Sequence, residues 1–183
     1  MRAWTDGEFQ WSGEHYRYPK LSVYPKPHQK PHPPIYVTAN RDPESFQMIG
    51  RRGYNLMTLP WIATNELQRT RMQTYFVSLR EGGHAAESKD IFVMYPAYVG
   101  DSDAQARAEV IDHWHRWRIF ALEAMNLDPS KGEAYERVVR HLDYDAMVGD
   151  NRGIFGGPET CARILKQIID IVGTTHIGLT FHF

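Results

Sequence analysis

The chain has 183 residues, enough for one domain of ordinary size, and its 13% aromatic content argues against a disordered protein. Its 21 basic and 22 acidic residues nearly cancel, and no apolar run approaches the ~20 residues that span a bilayer, so neither a nucleic-acid nor a membrane partner is expected. The single cysteine, Cys161, excludes an internal disulfide and a cysteine-rich zinc module, and it favours a cytoplasmic location.

Residues 1–34 are predicted to form an N-terminal hairpin and a proline-rich connector. Residues 9–11 and 15–18 alternate in polarity around a Ser-Gly turn, as in a hairpin, and no helix is expected in this part. Five prolines among residues 25–34 exclude a helix or a central strand and favour an extended connector. We therefore expect two parts, residues 1–34 and residues 35–183.

From residue 35 onward, apolar strand-like runs alternate with helical patterns. The predicted strands are 35–39, 55–59, 91–99 and 177–183, and the predicted helices are about 43–53, 65–80, 103–126, 133–141 and 158–172. Each of the first three strands is followed by a helix. This order predicts an α/β fold in which helices cover a parallel sheet of four strands.

The best candidate site lies in residues 38–45, directly after the first of these strands. Ligands of α/β folds bind at the C-terminal ends of strands. Free N–H groups at the start of the next helix and the Ser45 hydroxyl suit a phosphate. The carboxylates of Asp42 and Glu44 would repel that phosphate, whereas the charge of Arg41 would attract it. The residues alone therefore leave two interpretations open, a ligand site and a plain helix cap.

Other segments give weaker indications of chemistry. His113 and His115 are two residues apart on a predicted helix and point to different faces, and no metal site is expected. The glycine-rich residues 153–158 are predicted as a loop that leads into a helix, rather than as a phosphate-binding loop. Cys161 lies on the apolar stripe of that helix, which favours a core position over a nucleophile.

Seven short segments spread over the chain resemble, in order, the bacterial-luciferase-like flavin-dependent monooxygenases. They are WTDGEF (4–9), GEHY (13–16), PKP (25–27), QKPHPPIYV (29–37), PES (43–45), GRRG (50–53) and GGPET (156–160). No single segment is diagnostic, but the ordered set is specific.

The resemblance implies a partial TIM (β/α)8 barrel, namely the half from strand 5 to strand 8. It implies a monooxygenase that acts with reduced FMN and O2 on a small organic substrate, with a flavin reductase as a candidate partner. Two alternatives stay open: an F420-dependent oxidoreductase of the same superfamily, and a non-catalytic half-barrel that binds flavin. We expect the isolated chain to be inactive, and to associate with itself or with an N-terminal half of the barrel.

The resemblance also implies roles for particular residues at the predicted strand ends. The implied cofactor-binding residues are Thr38, Ala39, Asn40, Ser45 and Thr58, and the implied walls of the substrate pocket are Leu59, Pro60 and Trp61. Ser45 matches the hydroxyl that binds the flavin phosphate in the family. Arg41 and Asp42 depart from the small or neutral residues usual there. No residue of this chain is assigned as a catalytic base.

Overall fold

The computed structural model describes residues 2–30 and 32–181, in which the chain divides into two units, Met1–Ile35 and Tyr36–Phe183. The first unit contains a short helix and an antiparallel hairpin, whose paired residues include Trp11 and Tyr18. Its elements are α1 (Arg2–Thr5), β1 (Phe9–Ser12) and β2 (Arg17–Leu21). Pro31, which belongs to the predicted connector, lies outside the described residues.

The prediction that residues 1–34 contain no helix is wrong at α1. The Asp6 N–H donates to the Arg2 carbonyl at 2.8 Å, and Arg2 Nε donates to Asp6 Oδ2 at 3.0 Å. An ion pair at this four-residue spacing therefore stabilises a single helical turn, which is too short for an apolar periodicity to reveal.

The second unit contains a parallel sheet and six helices among its described residues. The strands are β3 (Tyr36–Thr38), β4 (Asn55–Thr58), β5 (Ile91–Val99), β6 (Ile154–Gly156) and β7 (His176–Thr180). The helices are α2 (Pro43–Arg51), α3 (Asn65–Glu81), α4 (Asp103–Ala124), α5 (Glu133–His141), α6 (Tyr144–Gly149) and α7 (Pro158–Val172). Strand β3 pairs with β4, and β5 pairs with β4, β6 and β7, all in parallel. The predicted α/β fold with a parallel sheet is therefore confirmed.

The predicted number of four strands is wrong, because β6 forms within residues 153–158, where a loop is predicted. Its residue Ile154 pairs with Ala97 of β5, and Ile154 and Phe155 are buried. The ring of Phe155 lies 5.3 Å from that of Trp114 on α4. A three-residue strand fixed by such distant contacts has no periodicity of its own to detect.

Two further boundaries differ from the prediction. Helix α6 is an addition, capped by Asp143, whose Oδ1 accepts from the N–H groups of Asp145 and Ala146. Strand β7 ends at Thr180 rather than at Phe183, and residues 182–183 lie outside the described part of the chain. No helix in residues 2–30 and 32–181 is both long and apolar enough to cross a membrane.

The two faces of the sheet differ in burial. On one face, Leu56, Val93 and Tyr95 are buried in a core shared with α2, α3, α4 and α7. On the other face, the register aligns Thr38, Met57 and Phe92 in one row across three strands. Met57 and Phe92 are half-buried and Thr38 is exposed, so this face is the more accessible one.

Candidate functional site

The ends of β3 and β4 are joined by the side chain of Asn40. Its Oδ1 accepts from the Leu59 N–H at 2.8 Å and from the Thr58 hydroxyl at 3.4 Å. The Ala39 N–H extends the ladder by donating to the Met57 carbonyl at 3.1 Å. Two strand ends that the sequence separates by about twenty residues are thus held side by side.

The structure brings most of the predicted cofactor-binding residues to this edge, with unequal access. Thr38 is exposed and Asn40 is half-buried, whereas Ala39 and Thr58 are buried. Thr38 and Asn40 are therefore the accessible residues of this edge, and the buried Thr58 contacts Asn40 from behind.

The start of α2 already holds a carboxylate. Asp42 Oδ1 accepts from the Glu44 N–H at 3.2 Å, and Asp42 Oδ2 accepts from the Ser45 hydroxyl at 3.1 Å. The Ser45 N–H donates to the Asp42 carbonyl. A phosphate at this helix start would have to displace the Asp42 carboxylate, so the phosphate role of Ser45 stays a prediction.

The start of α7 is occupied in the same way. Asp103 Oδ1 accepts from the Gly157 N–H at 2.7 Å, and its Oδ2 accepts from the Thr160 hydroxyl at 3.0 Å. These bonds, the backbone one first, hold the pKa of Asp103 below its usual range. Gly156 has φ 148°, and a Cβ there would lie 2.5 Å from Asp103 Oδ1, so glycine is required. This arrangement is a structural cap rather than a phosphate site.

A short 3-10 turn, Pro60–Ile62, follows β4 and carries the predicted walls of the substrate pocket. Gln68 Nε2 donates to the Pro60 carbonyl at 2.6 Å. Trp61 is 9% exposed, and its ring meets that of Trp117 edge-on at 5.6 Å. The turn is therefore fixed both by a buried hydrogen bond and by aromatic packing.

Arg152 anchors this turn to α5. It is 2% exposed, forms an ion pair with Asp150 at 3.0 Å, and donates from Nη1 to the carbonyls of Trp61 at 3.3 Å and His141 at 2.9 Å. Burial first, and then the Arg152 charge, lower the pKa of His141. Arg152 Nη1 also lies 3.1 Å from His141 Nε2, and because a guanidinium can only donate, Nε2 is the acceptor. No pattern in the sequence indicates this role of Arg152, because its partners lie on other elements of the fold.

A cavity of about 450 Å³ lies beside the turn. It is lined by Arg41, Trp61, Ile62, Ala63, Thr64, Leu67, Arg71, Met125, Arg137, Val138, His141 and Leu142. Trp61 therefore lies on its wall, whereas Leu59 and Pro60 are not among the described lining residues. Apolar side chains and three arginines share the lining, so the cavity suits a molecule with both an apolar and an anionic part.

No cluster of three or more His, Cys, Asp or Glu side chains in the described ranges is placed to hold a metal ion.

A sequence profile of luciferase-like monooxygenases matches residues 1–175 of this chain. The chain belongs to the luciferase-like monooxygenase family. The family that the seven segments resemble is thereby confirmed.

Two curated relatives of this luciferase-like chain are monooxygenase components. The flavin-dependent trigonelline monooxygenase oxygenase component of Acinetobacter baylyi is 31% identical over 113 residues, covering 61% of this chain and 31% of that protein. The alkanal monooxygenase alpha chain of Aliivibrio fischeri is 27% identical over 195 residues, covering 99% of this chain and 54% of that protein. The chain thus spans about half the length of these relatives, or less.

Solved structures share the fold of the luciferase-like chain. Monooxygenase RslO1 from Streptomyces bottropensis has a TM-score of 0.74 at 22% identity, over 100% of this chain and 52% of that one. An F420-dependent secondary alcohol dehydrogenase has a TM-score of 0.71 at 16% identity, over 99% and 52%. The oxygenating constituent of 3,6-diketocamphane monooxygenase from Pseudomonas putida, in complex with FMN, has a TM-score of 0.65 at 16% identity, over 99% and 53%.

Proposed function

We propose that this chain carries the flavin-binding strand ends of a monooxygenase that uses reduced FMN and O2 to oxidise a small organic substrate. Family membership supports the reaction class, and the FMN in the diketocamphane monooxygenase structure supports the cofactor. The observation that carries the proposal is Asn40, because its side chain joins two strand ends where α/β folds bind ligands.

The sheet would supply four strands of a (β/α)8 barrel. We assign β3, β4, β5 and β7 to strands 5 to 8, with β6 as an addition between the last two. Their parallel direction and their order in the sheet support this assignment, as does the likeness to RslO1 over about half of that chain. The row formed by Thr38, Met57 and Phe92 would then face the barrel interior.

The ring of a flavin fits the residues at this edge. The row of Thr38, Met57 and Phe92 offers an accessible and partly apolar surface beside Asn40. Thr38 and Asn40 would contact the ring, while the buried Ala39 and Thr58 would hold them in place.

The phosphate fits only with a rearrangement of the α2 start. Asp42 occupies the N–H groups and the Ser45 hydroxyl that a phosphate would use. Ser45 would bind the phosphate after the Asp42 carboxylate turns away, and the exposed Arg41 would offset the remaining negative charge. The predicted role of Ser45 is therefore coupled to the orientation of Asp42.

The protein groups at this site would orient and enclose the reactants. A bound reduced flavin supplies the electrons and activates O2. Asn40 would fix the spacing of the two strand ends, and Leu59, Pro60 and Trp61 would exclude water on the substrate side. We assign none of these residues as a proton donor or base.

An anaerobic titration with reduced FMN, reduced riboflavin and reduced F420 tests the proposal. Asn40→Ala removes the acceptor for Leu59, and we expect it to weaken FMN binding about tenfold, the equivalent of one such hydrogen bond. The exposed Gln73→Ala on α3 serves as the control and should bind normally. Equal FMN affinity for Asn40→Ala and the unmodified chain would contradict the proposed site.

An F420-dependent oxidoreductase is the second candidate, and the F420-dependent alcohol dehydrogenase with the same fold favours it. Preferential binding of reduced F420 in the same titration would support this candidate over the first. A flavin reductase as electron donor, association with a second half-barrel and a cytoplasmic location remain proposals that accompany the monooxygenase.

A further inference from the structure

The two buried charged residues of the described chain have opposite surroundings. Arg152 donates to two carbonyl groups and pairs with Asp150. Arg71, which is 7% exposed, has no hydrogen-bond partner for Nε or Nη1 among the described residues. Arginine is rarely buried unless it is paired, and unsatisfied buried donors are uncommon enough to call for an explanation.

The surroundings of Arg71 leave its charge uncompensated. Its one hydrogen bond runs from Nη2 to the Arg41 carbonyl at 3.3 Å. Burial first, and then the positive charge of Arg41, lower the pKa of Arg71. No carboxylate lines the adjoining cavity in the part of the chain that the structure describes, whereas Arg41 and Arg137 do. An anion is thus the group that this position lacks.

The rest of the cavity is built for an apolar body. Trp61, Leu142 and Val138 line it together with other apolar side chains, and its volume of about 450 Å³ suits a small molecule. A guanidinium carries five N–H donors in a planar fork, which matches a carboxylate.

We propose that this cavity binds a small organic carboxylate, whose negative charge compensates that of the buried Arg71 guanidinium and whose apolar body packs beside Trp61. As a substrate class, the assignment rests on the proposed monooxygenase function. The binding itself does not, because neither Arg71 nor Trp61 is among the residues assigned to contact the flavin. Failure of carboxylate binding and failure of flavin binding are therefore separate results.

Benzoate and hexanoate are suitable probes, with benzamide and hexanamide as uncharged controls. Titration calorimetry without flavin should show at least one acid binding about tenfold or more tightly than its amide, as expected for a buried charged hydrogen bond. Arg71→Met should abolish this preference. Arg69→Met, on the same helix but outside the cavity lining, should retain it. Equal binding of both acids and their amides would overturn the proposal.

A second variant keeps the test independent of how Arg71→Met folds. Leu67 is 44% exposed at the cavity wall, so Leu67→Glu should fold and place a carboxylate beside the site. We expect this variant to bind the acid probe about tenfold less tightly, and Leu67→Gln to bind it nearly normally. Unchanged affinity in Leu67→Glu would show that the acid binds elsewhere and would overturn the proposal.

A competition experiment distinguishes the carboxylate from the flavin phosphate. Displacement of the acid by FMN but not by riboflavin would show that the cavity binds the flavin phosphate instead, and would also overturn the proposal.

Discussion

Two buried arginines, Arg152 and Arg71, should respond in opposite ways to replacement by methionine. We expect the free energy of unfolding to fall in Arg152→Met and to rise in Arg71→Met. Arg152→Met removes the donor for the buried Trp61 carbonyl and for the part-buried His141 carbonyl, beside the turn after β4. Each of the two acceptors left unsatisfied costs ~1–3 kcal/mol, so we expect a loss of about 2–6 kcal/mol in the free energy of unfolding. The ion pair with the largely exposed Asp150 adds little to this figure.

Arg71→Met removes an uncompensated buried charge and only one hydrogen bond, that to the Arg41 carbonyl. The lost bond costs ~1 kcal/mol, and relief of the desolvated charge is larger, so a net gain of about 1–3 kcal/mol is expected without ligand. Methionine keeps the length and most of the apolar packing of the arginine side chain.

Urea unfolding followed by tryptophan fluorescence measures both changes. The control is Arg163→Met, an exposed arginine on α7, which should change stability by less than about 0.5 kcal/mol. The reasoning would be refuted if Arg71→Met destabilised the protein as much as Arg152→Met does. That result would mean that Arg71 serves the fold and not a ligand.

Three further predictions concern the helix starts and the sheet. Asp42→Asn should strengthen FMN binding relative to riboflavin binding, because it removes a charge that repels the phosphate. Ser45→Ala should weaken FMN binding relative to riboflavin binding. If titration shows equal effects on FMN and riboflavin, the phosphate does not bind at the start of α2. Asp103→Ala should destabilise the protein at neutral pH. Because the pKa of Asp103 is lowered in the folded state, its contribution to stability is present above the usual aspartate range and is lost as the pH falls through the folded pKa. The unfolding curves of the variant and the unmodified chain should therefore converge in acid. A pH-independent difference between them would contradict this. Within the described residues β3 pairs with β4 alone and β7 with β5 alone, so each has one unpaired edge, and such edges favour association. Sedimentation at rising concentration should therefore show self-association. A single 21.2 kDa species throughout would contradict it.

The sequence predicts those parts of the fold that rest on local patterns. Asp42 before Pro43 marks the start of α2, and Gly173 in the left-handed conformation ends α7, as expected from capping preferences. Strand β6 is not predicted, because it depends on pairing with β5 and on ring contacts of Phe155, both made with residues distant in the sequence.

The sequence likewise predicts some residues of the candidate site and not others. Thr38 to Asn40 lie at the end of a recognisable strand, so their place at the sheet edge is predictable from the sequence. Arg71 and Arg152 look like ordinary surface charges in the sequence, and only tertiary packing buries them. The Ser45 hydroxyl is a plausible phosphate ligand by position, but its bond to Asp42 depends on a rotamer that no sequence pattern reports.

The most direct test of the central claim is to map where reduced FMN binds, using backbone amide shifts of the ¹⁵N-labelled chain in an oxygen-free titration. We expect the largest shifts at the amides of residues 38–45 and 58–61, with saturation at one flavin per chain. Shifts confined to the start of α7, near Gly157 and Thr160, or the absence of any saturable shift, would contradict a flavin site at the joined ends of β3 and β4.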